Sequence, residues 1–375
     1  MIKFAILSGA YKNAGDFLIV KRCKEILRYV YPHCEFAEFE RRKPLEENLK
    51  EVNLCDFMVM AGGPAYRRNL YPAIMPLMPD LNDITIPIVT MGVGQKCIEY
   101  SSEIIKKYQF TEKTVELLKK IQASGVPFSC RDWASVELLR INGFQNTVMT
   151  GCTAWYDIAH IDNFECNIHS VSQIKTVYLS DPALPDNCSQ IPLIIDWLKT
   201  INPGMKIKVI FHRGIGEDSN TDKKTAQKIR GMLQVLEDRQ VEYIDISYGA
   251  DGFKVYEECD LHIGYRVHAH IYNMSIRKAS ILIQEDSRGG GIDDALGIRA
   301  IKAYDEKRNL TMHGIVSKCS IMRHLDRNKN LIYELNAYLD RLNSTGFREL
   351  EYAYKHMRET FQVMVEYLRG WEKQV

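Results

Sequence analysis

The stretch Asp56-Phe57-Met58-Val59-Met60-Ala61-Gly62-Gly63-Pro64 is an apolar run that ends in two glycines. Residues 56–61 do not alternate polar with apolar positions, which is the pattern of a strand buried on both faces. Such strands belong to parallel sheets covered by crossover helices. Working outward, residues 3–8, 35–39, 86–91, 127–130 and 147–150 read as further strands. Helical patterns at 15–31, 104–123 and 131–142 lie among them; on the first, Leu18, Ile19, Cys23, Ile26, Leu27 and Val30 share one side.

Beyond the polar stretch 162–173 the plan repeats. Strands are expected at 176–180, 206–211, 241–246, 261–264 and 280–284, with helices between them. The expected class is therefore α/β, with two Rossmann-like domains over 1–165 and 166–310. Residues 311–375 differ. Helices are expected at 331–342 and 347–371, and the second repeats apolar side chains at Phe347, Leu350, Tyr354, Met357, Phe361, Met364, Leu368 and Trp371. This stripe is expected to pack along the chain's own surface and brace the two domains. A coiled-coil seam is the sharper alternative, so oligomeric state stays open.

Composition narrows the function. The chain has 375 residues, enough for two cores, and a net charge of +1, which argues against bulk attraction to nucleic acid. A small anionic substrate would have to be held by local Arg or Lys. Residues 1–8 are too short an apolar run for a signal peptide, and no stretch approaches the ~20 apolar residues of a membrane span. The ten cysteines are scattered singly, as expected for reduced, mostly buried thiols of a cytoplasmic protein.

Five strand-to-helix stations carry the candidate chemistry. The first is Ser8 to Asp16, where small residues precede a helix N-terminus; it contains neither GxGxxG nor GK[ST]. Gly62-Gly63 and Gly92-Val93-Gly94 each stand just past a strand, where open α/β sheets bind ligands. In Arg131-Asp132-Trp133-Ala134-Ser135, Asp132 and Ser135 read as a helix cap and Arg131 as a group facing the cleft. The most informative station is Gly264-Tyr265-Arg266-Val267-His268-Ala269-His270. Arg266 can clamp a carboxylate or phosphate with two prongs, and His268 can exchange a proton near neutral pH. His270 reads as structural, and no metal site is expected, because residues two apart on a helix share no face. Arg213, at another strand end, is a candidate second clamp.

Taken together, these stations resemble the polysaccharide pyruvyl transferase family. The resemblance rests on Asn13-Ala14-Gly15-Asp16, Gly62-Gly63-Pro64, Gly92-Val93-Gly94, Arg131-Asp132-Trp133-Ala134-Ser135, Thr150-Gly151-Cys152 and Arg266-Val267-His268-Ala269, in that order over roughly residues 5–300. Three features depart from the pattern: Pro64 stands for a third glycine, Gln95-Lys96 for Gly-Pro, and Arg288-Gly289-Gly290-Gly291 has no counterpart.

The resemblance implies a glycosyltransferase-B-like fold with its site in the cleft between the halves. It implies transfer of pyruvate from phosphoenolpyruvate, a co-substrate with no further cofactor, to a sugar of a cell-surface polysaccharide or its precursor. Donor binding falls to Arg266, Arg213, Val267 and Ala269, and proton transfer to His268. The acceptor side of the cleft falls to Asn13, Gly15, Asp16, Gly62, Gly63, Gly94 and Arg131. The partners expected are a small anionic donor and a saccharide, lipid-linked acceptors included, with neither nucleic acid nor an integral membrane segment. That places the enzyme in the cytoplasm or at the inner face of the membrane. Two alternatives remain. One is a transferase using a nucleotide-sugar donor, with Glu285 or Asp286 for the ribose; the other is a non-catalytic sugar- or anion-binding module.

Overall fold

The structure is a computed structural model that describes residues 1–96, 102–305 and 327–371. Two six-stranded parallel sheets carry the fold. The first comprises β1 (Lys3–Ser8), β2 (Glu35–Glu40), β3 (Phe57–Tyr66), β4 (Ile88–Gln95), β5 (Phe128–Cys130) and β6 (Thr147–Met149) in the order β2-β1-β3-β4-β5-β6. The second comprises β7 (Thr176–Ser180), β8 (Lys206–Phe211), β9 (Glu242–Asp245), β10 (Leu261–Gly264), β11 (Ala279–Gln284) and β12 (Ile301–Lys302) in the order β12-β11-β10-β7-β8-β9. The helices are α1 (Ala14–Val30), α2 (Leu49–Asn53), α3 (Ser102–Lys106), α4 (Glu112–Gln122), α5 (Trp133–Ile141), α6 (Ile191–Ile201), α7 (Lys223–Asp238), α8 (Val267–Ser275), α9 (Ser287–Leu296), α10 (Leu331–Ser344) and α11 (Arg348–Arg369).

In each sheet the strand order reverses once, between β1 and β3 and between β7 and β10. Adjacent crossovers leave in opposite directions there, opening a crevice at the carboxyl ends of the strands. These two points position the site.

Three expectations need correction. The helix expected over 104–123 is divided. Thr111 caps α4 by accepting from Thr114 N at 3.3 Å, and Asn142 holds the segment before it through Tyr108 O at 3.0 Å and Phe110 N at 3.3 Å. Apolar periodicity ran across the break because both pieces bury one side. The Gly62–Gly63 and Gly92–Gly94 stations are not turns past a strand. They lie within β3 and β4, which stay paired through Gly63↔Val93 and Pro64↔Gly94. The short β12 was not foreseen.

The stripe of α11 is buried: Phe347, Leu350, Tyr354, Met357, Phe361, Met364, Leu368 and Trp371 are all 3% exposed or less. The Trp371 ring lies 5.2 Å from Phe57 and 6.0 Å from Phe4 in the first half, while Arg277 of the second half stacks on Tyr354 at 5.1 Å. The eight described cysteines are all free; Cys97 and Cys319 lie outside the described residues. Among the described residues no helix is long and apolar enough to cross a membrane.

Candidate active site

At the crevice of the second sheet, Arg266 precedes α8 in an extended conformation. It donates from Nε to Asp181 Oδ1 (2.8 Å), and from Nη2 to Asp181 Oδ2 (2.5 Å) and Pro182 O (3.2 Å). Asp181 follows β7 and Arg266 follows β10, so the pair straddles the switch point. A chain of buried hydroxyls and imidazoles sets the backbone beneath it. Ser180 Oγ accepts from Arg266 N at 3.1 Å and bonds His262 Nε2 at 2.9 Å; Ser280 Oγ bonds His262 Nδ1 and His270 Nδ1, each at 2.7 Å. His270 is thus a structural histidine. The first intrahelical bond of α8 runs from His270 N to Arg266 O at 3.0 Å, so the amides of Val267, His268 and Ala269 precede it and form the helix's anion-attracting end.

His268 lies where the two halves meet. A Cβ on Gly15 would stand 2.5 Å from His268 Nδ1, so only glycine fits between that ring and the start of α1. Around the imidazole are three arginines, each beside its own aspartate. Arg266 pairs with Asp181, Arg131 with Asp132 at 3.0 Å, and Arg288 with Asp286 at 2.8 Å. His268 Nε2 is buried and has no hydrogen-bond partner among the described residues. Burial, and then the charges of Arg288, Arg131 and Arg266, push its pKa down to about 3. The ring is neutral at pH 7. A crevice of about 20 Å³ opens beside it, lined by Asn13, Arg266, Val267, His268 and Arg288 among others. A separate cavity of about 130 Å³ lies on the other side of Arg266, where Arg213, Asp181, Thr225 and Met232 line it.

The first sheet has its own arginine at its switch point. Arg41 follows β2, and its guanidinium lies over Gly9 and Gly63, where added Cβ atoms would stand 2.4 Å from Cζ and 3.1 Å from Nη1. Gly63 has φ +76°, a second reason for glycine there. Arg41 Nε is buried with no partner among the described residues, and Nη1 donates to Gly62 O at 3.5 Å. Arg42 stacks on Tyr11 at 3.7 Å, and Arg67, just past β3, donates to Pro64 O at 3.3 Å. Among the described residues none of these three forms an ion pair. Burial lowers the pKa of Arg41 and of Arg67; Asp16 acts through space to raise Arg41's, and Arg288 to lower Arg67's further.

The first loop also locks the halves together. Lys12, fully buried, donates to Asp218 Oδ2 at 2.6 Å and to Thr221 Oγ1. Ala14 N donates to His212 O at 2.9 Å, and Arg213 Nη2 to Tyr11 Oη at 3.4 Å.

The structure therefore gathers Asn13, Gly15, Arg131, Arg266, Val267 and His268 around one crevice, with Gly94 making room for the Arg131 guanidinium. Asp16 is felt electrostatically by Arg41 and by Arg288. Gly63 serves Arg41, whereas Gly62 packs against Ile19. Arg213 is exposed and lines the larger cavity, which shares Ala183 and Arg266 with the His268 crevice. The Ala269 side chain is buried in the core and lines neither space. Asp132 is the α5 cap, accepting from Ser135 N at 2.8 Å.

The residue reading missed Arg41, Arg67 and Lys12, and left Arg288 unplaced. Arg67 stands just past the carboxyl end of β3, a signal lost because that strand was ended at its glycines.

Two facing parallel α/β sheets, each with its switch point turned to a shared cleft, define a glycosyltransferase-B-like transferase fold. The family model for polysaccharide pyruvyl transferase matches residues 13–287, and the chain belongs to that family. No curated protein matches the sequence. Among solved structures, the fold is similar to S. aureus MnaA, determined with UDP, at 10% identity and TM-score 0.54, covering 100% of this chain and 98% of that one. It is also similar to the UDP-GlcNAc 2-epimerase from Neisseria meningitidis bound to UDP-GlcNAc, at 9% identity and TM-score 0.51, covering 99% and 100%. At these identities the likeness concerns the fold alone.

Proposed function

We propose that the protein transfers pyruvate from phosphoenolpyruvate to two hydroxyls of a saccharide, forming a ketal and releasing phosphate. The observation that carries this reading is the His268 crevice: a neutral, unpartnered imidazole surrounded by three fixed guanidiniums at a helix N-terminus. The donor offers a carboxylate and a phosphate, which suit Arg288, the outward donors of Arg266 and the first-turn amides of α8.

The second half is then the donor side and the first half the acceptor side. One proton reaches the enol CH2 carbon, making the methyl group and an oxocarbenium-like carbon at C2. One hydroxyl oxygen bonds C2, the C2–O bond to phosphate breaks, and the second hydroxyl closes the ketal. The two hydroxyls supply two protons: one replaces that taken up by the methyl group, and the other leaves with phosphate. His268 is the proton donor. The bound anions raise its pKa from its depressed value, so it charges when an acid is needed.

The nucleotide-sugar alternative would use Glu285 or Asp286 for a ribose. Both are engaged: Glu285 accepts from Ala183 N, Leu184 N and Asn187 Nδ2, and Asp286 from Arg288. Thermal-shift screening with phosphoenolpyruvate, UDP, GDP and CMP separates the readings. Stabilisation by phosphoenolpyruvate alone is expected. Stabilisation by a nucleotide alone would favour the sugar transferase, and no response to any would favour a silent binding module.

A further inference from the structure

Three neighbouring strands of the second sheet, β10, β7 and β8, end beside the His268 crevice. Arg266 follows the first and Asp181 the second. His212 follows the third, is fully buried, and lines the crevice. The residue pattern singles out its neighbour Arg213, yet His212 is the one placed with His268. It is held on three sides. Its backbone N donates to Asp181 Oδ1 at 3.0 Å, the oxygen that also accepts from Arg266 Nε. Its carbonyl accepts from Ala14 N at the start of α1. Its ring stands edge-on to Phe253 at 5.1 Å, and Nε2 bonds Tyr256 Oη at 2.8 Å.

Tyr256 sets the tautomer. The phenol is fully buried, and His212 Nε2 is its hydrogen-bond partner among the described residues. A buried O–H needs an acceptor, so the phenol donates to Nε2 and the ring proton sits on Nδ1. His212 Nδ1 is buried with no partner among the described residues. A bare buried N–H is costly, and a ligand oxygen would satisfy it. Burial, and then the charges of Arg266, His262 and His268, push the ring's pKa well below the ordinary histidine range, so it is neutral.

We propose that His212 Nδ1–H is a neutral hydrogen-bond donor to the phosphate of bound phosphoenolpyruvate, strengthening its hold as the C2–O bond breaks. The inference rests on the transferase reading above and adds a substrate-contacting residue to it. His212 keeps its proton throughout: the C2–O electron pair leaves with phosphate, whose proton comes from an acceptor hydroxyl. Negative charge grows on the phosphate as that bond breaks, so the contact tightens in the transition state. A neutral N–H does this without adding a fourth positive charge to the three guanidiniums around His268, which must itself take up a proton.

Two substitutions separate this role from a structural one. A Gln amide reaches the place of Nε2 and an Asn amide that of Nδ1. His212→Gln thus keeps a partner for Tyr256 and loses the crevice donor, whereas His212→Asn keeps the crevice donor and strands the phenol. The measurements are melting temperature, calorimetric titration with inorganic phosphate, and phosphate release from phosphoenolpyruvate with saccharide acceptors. His212→Gln is expected to melt near the wild type, bind phosphate about tenfold more weakly, and lose about 100-fold in kcat with a smaller rise in KM. His212→Asn should melt lower, yet bind phosphate within about threefold of the wild type and recover most of the rate. Phosphate affinity and rate then run against stability.

If the wild type binds no phosphate, if His212→Gln binds it as tightly as the wild type, or if affinity and rate fall in step with melting temperature, His212 is structural and the proposal is overturned. If the wild type leaves phosphoenolpyruvate untouched, the transferase reading fails, and the phosphate titrations alone decide whether Nδ1 meets an anion.

Discussion

Arg266 and Arg41 each bring a guanidinium to the switch point of their own sheet, Arg266 from the end of β10 beside it and Arg41 from the end of the edge strand β2, yet they are held differently. Arg266 is clamped by Asp181 with two prongs and seated on the Ser180–His262–Ser280–His270 chain. Arg41 lies over glycines and pairs with no carboxylate among the described residues. A paired arginine is a fixed donor that keeps its geometry empty or filled. Arg41 is held by backbone and by close packing over glycine instead.

That contrast can be broken or sharpened by substitution. The largest expected effect is at His268: His268→Ala should lower turnover by about 100- to 10,000-fold while the melting temperature holds, because its Nε2 leaves no partner behind. Near-normal turnover, or loss only through unfolding, would make His268 structural. Asp181→Ala should destabilise the fold by about 3–5 kcal/mol in urea melts, since it strands a buried guanidinium. Arg41→Gln should change stability by less than about 0.5 kcal/mol or raise it, because no buried partner is stranded. Equal costs at the two positions would erase the distinction.

Gly15→Ala should cost about 1–3 kcal/mol through overpacking and displace the imidazole, lowering kcat more than it raises the KM for the donor. A wild-type crystal structure and rate for this variant would show that the contact is not tight.

Acid should weaken the fold early. His212 and His262 are pushed well below the ordinary histidine range by burial, and His268 and His270 to about 3, so all four are neutral when folded. The unfolded chain takes up these protons first. Stability is therefore full above about pH 6.5 and falls as pH drops toward 3, by up to about 1.4 kcal/mol per pH unit for each histidine. Glu285, raised to about 7, and Asp293, raised to about 6, both chiefly by burial, act in the opposite sense between their unfolded values and these, and offset up to two of the four. A flat stability profile from pH 7 to 5 would contradict this account.

Much of this was legible in the sequence, and the gaps have physical causes. Two-sided burial writes continuous apolar runs, so β1, β7, β8 and β10 were read to the residue. The cap at Asp132 and the stripe of α11 were equally plain, being local patterns. The glycine stations were misread because a glycine ending an apolar run looks like a turn, whereas Gly63 and Gly94 continue their strands and make room for guanidiniums from elsewhere. Arg41 could be found only by knowing that β1 lies between β2 and β3. Lys12 was invisible for the same reason: its partner Asp218 lies 206 residues away. The resemblance supplied the Arg266–His268 pairing with a donor; the residues alone offered a cation beside a titratable group.

The measurement that tests the central claim most directly is phosphate release from phosphoenolpyruvate in the presence of saccharide acceptors, with mass analysis of the acceptor, for the wild type and Arg266→Lys. The account predicts acceptor-dependent release, a new acidic ketal on the saccharide, and weakened donor binding when a point charge replaces the two-pronged guanidinium. Release of a nucleoside diphosphate from a sugar nucleotide with phosphoenolpyruvate untouched, or an Arg266→Lys variant with unchanged donor affinity, would contradict it.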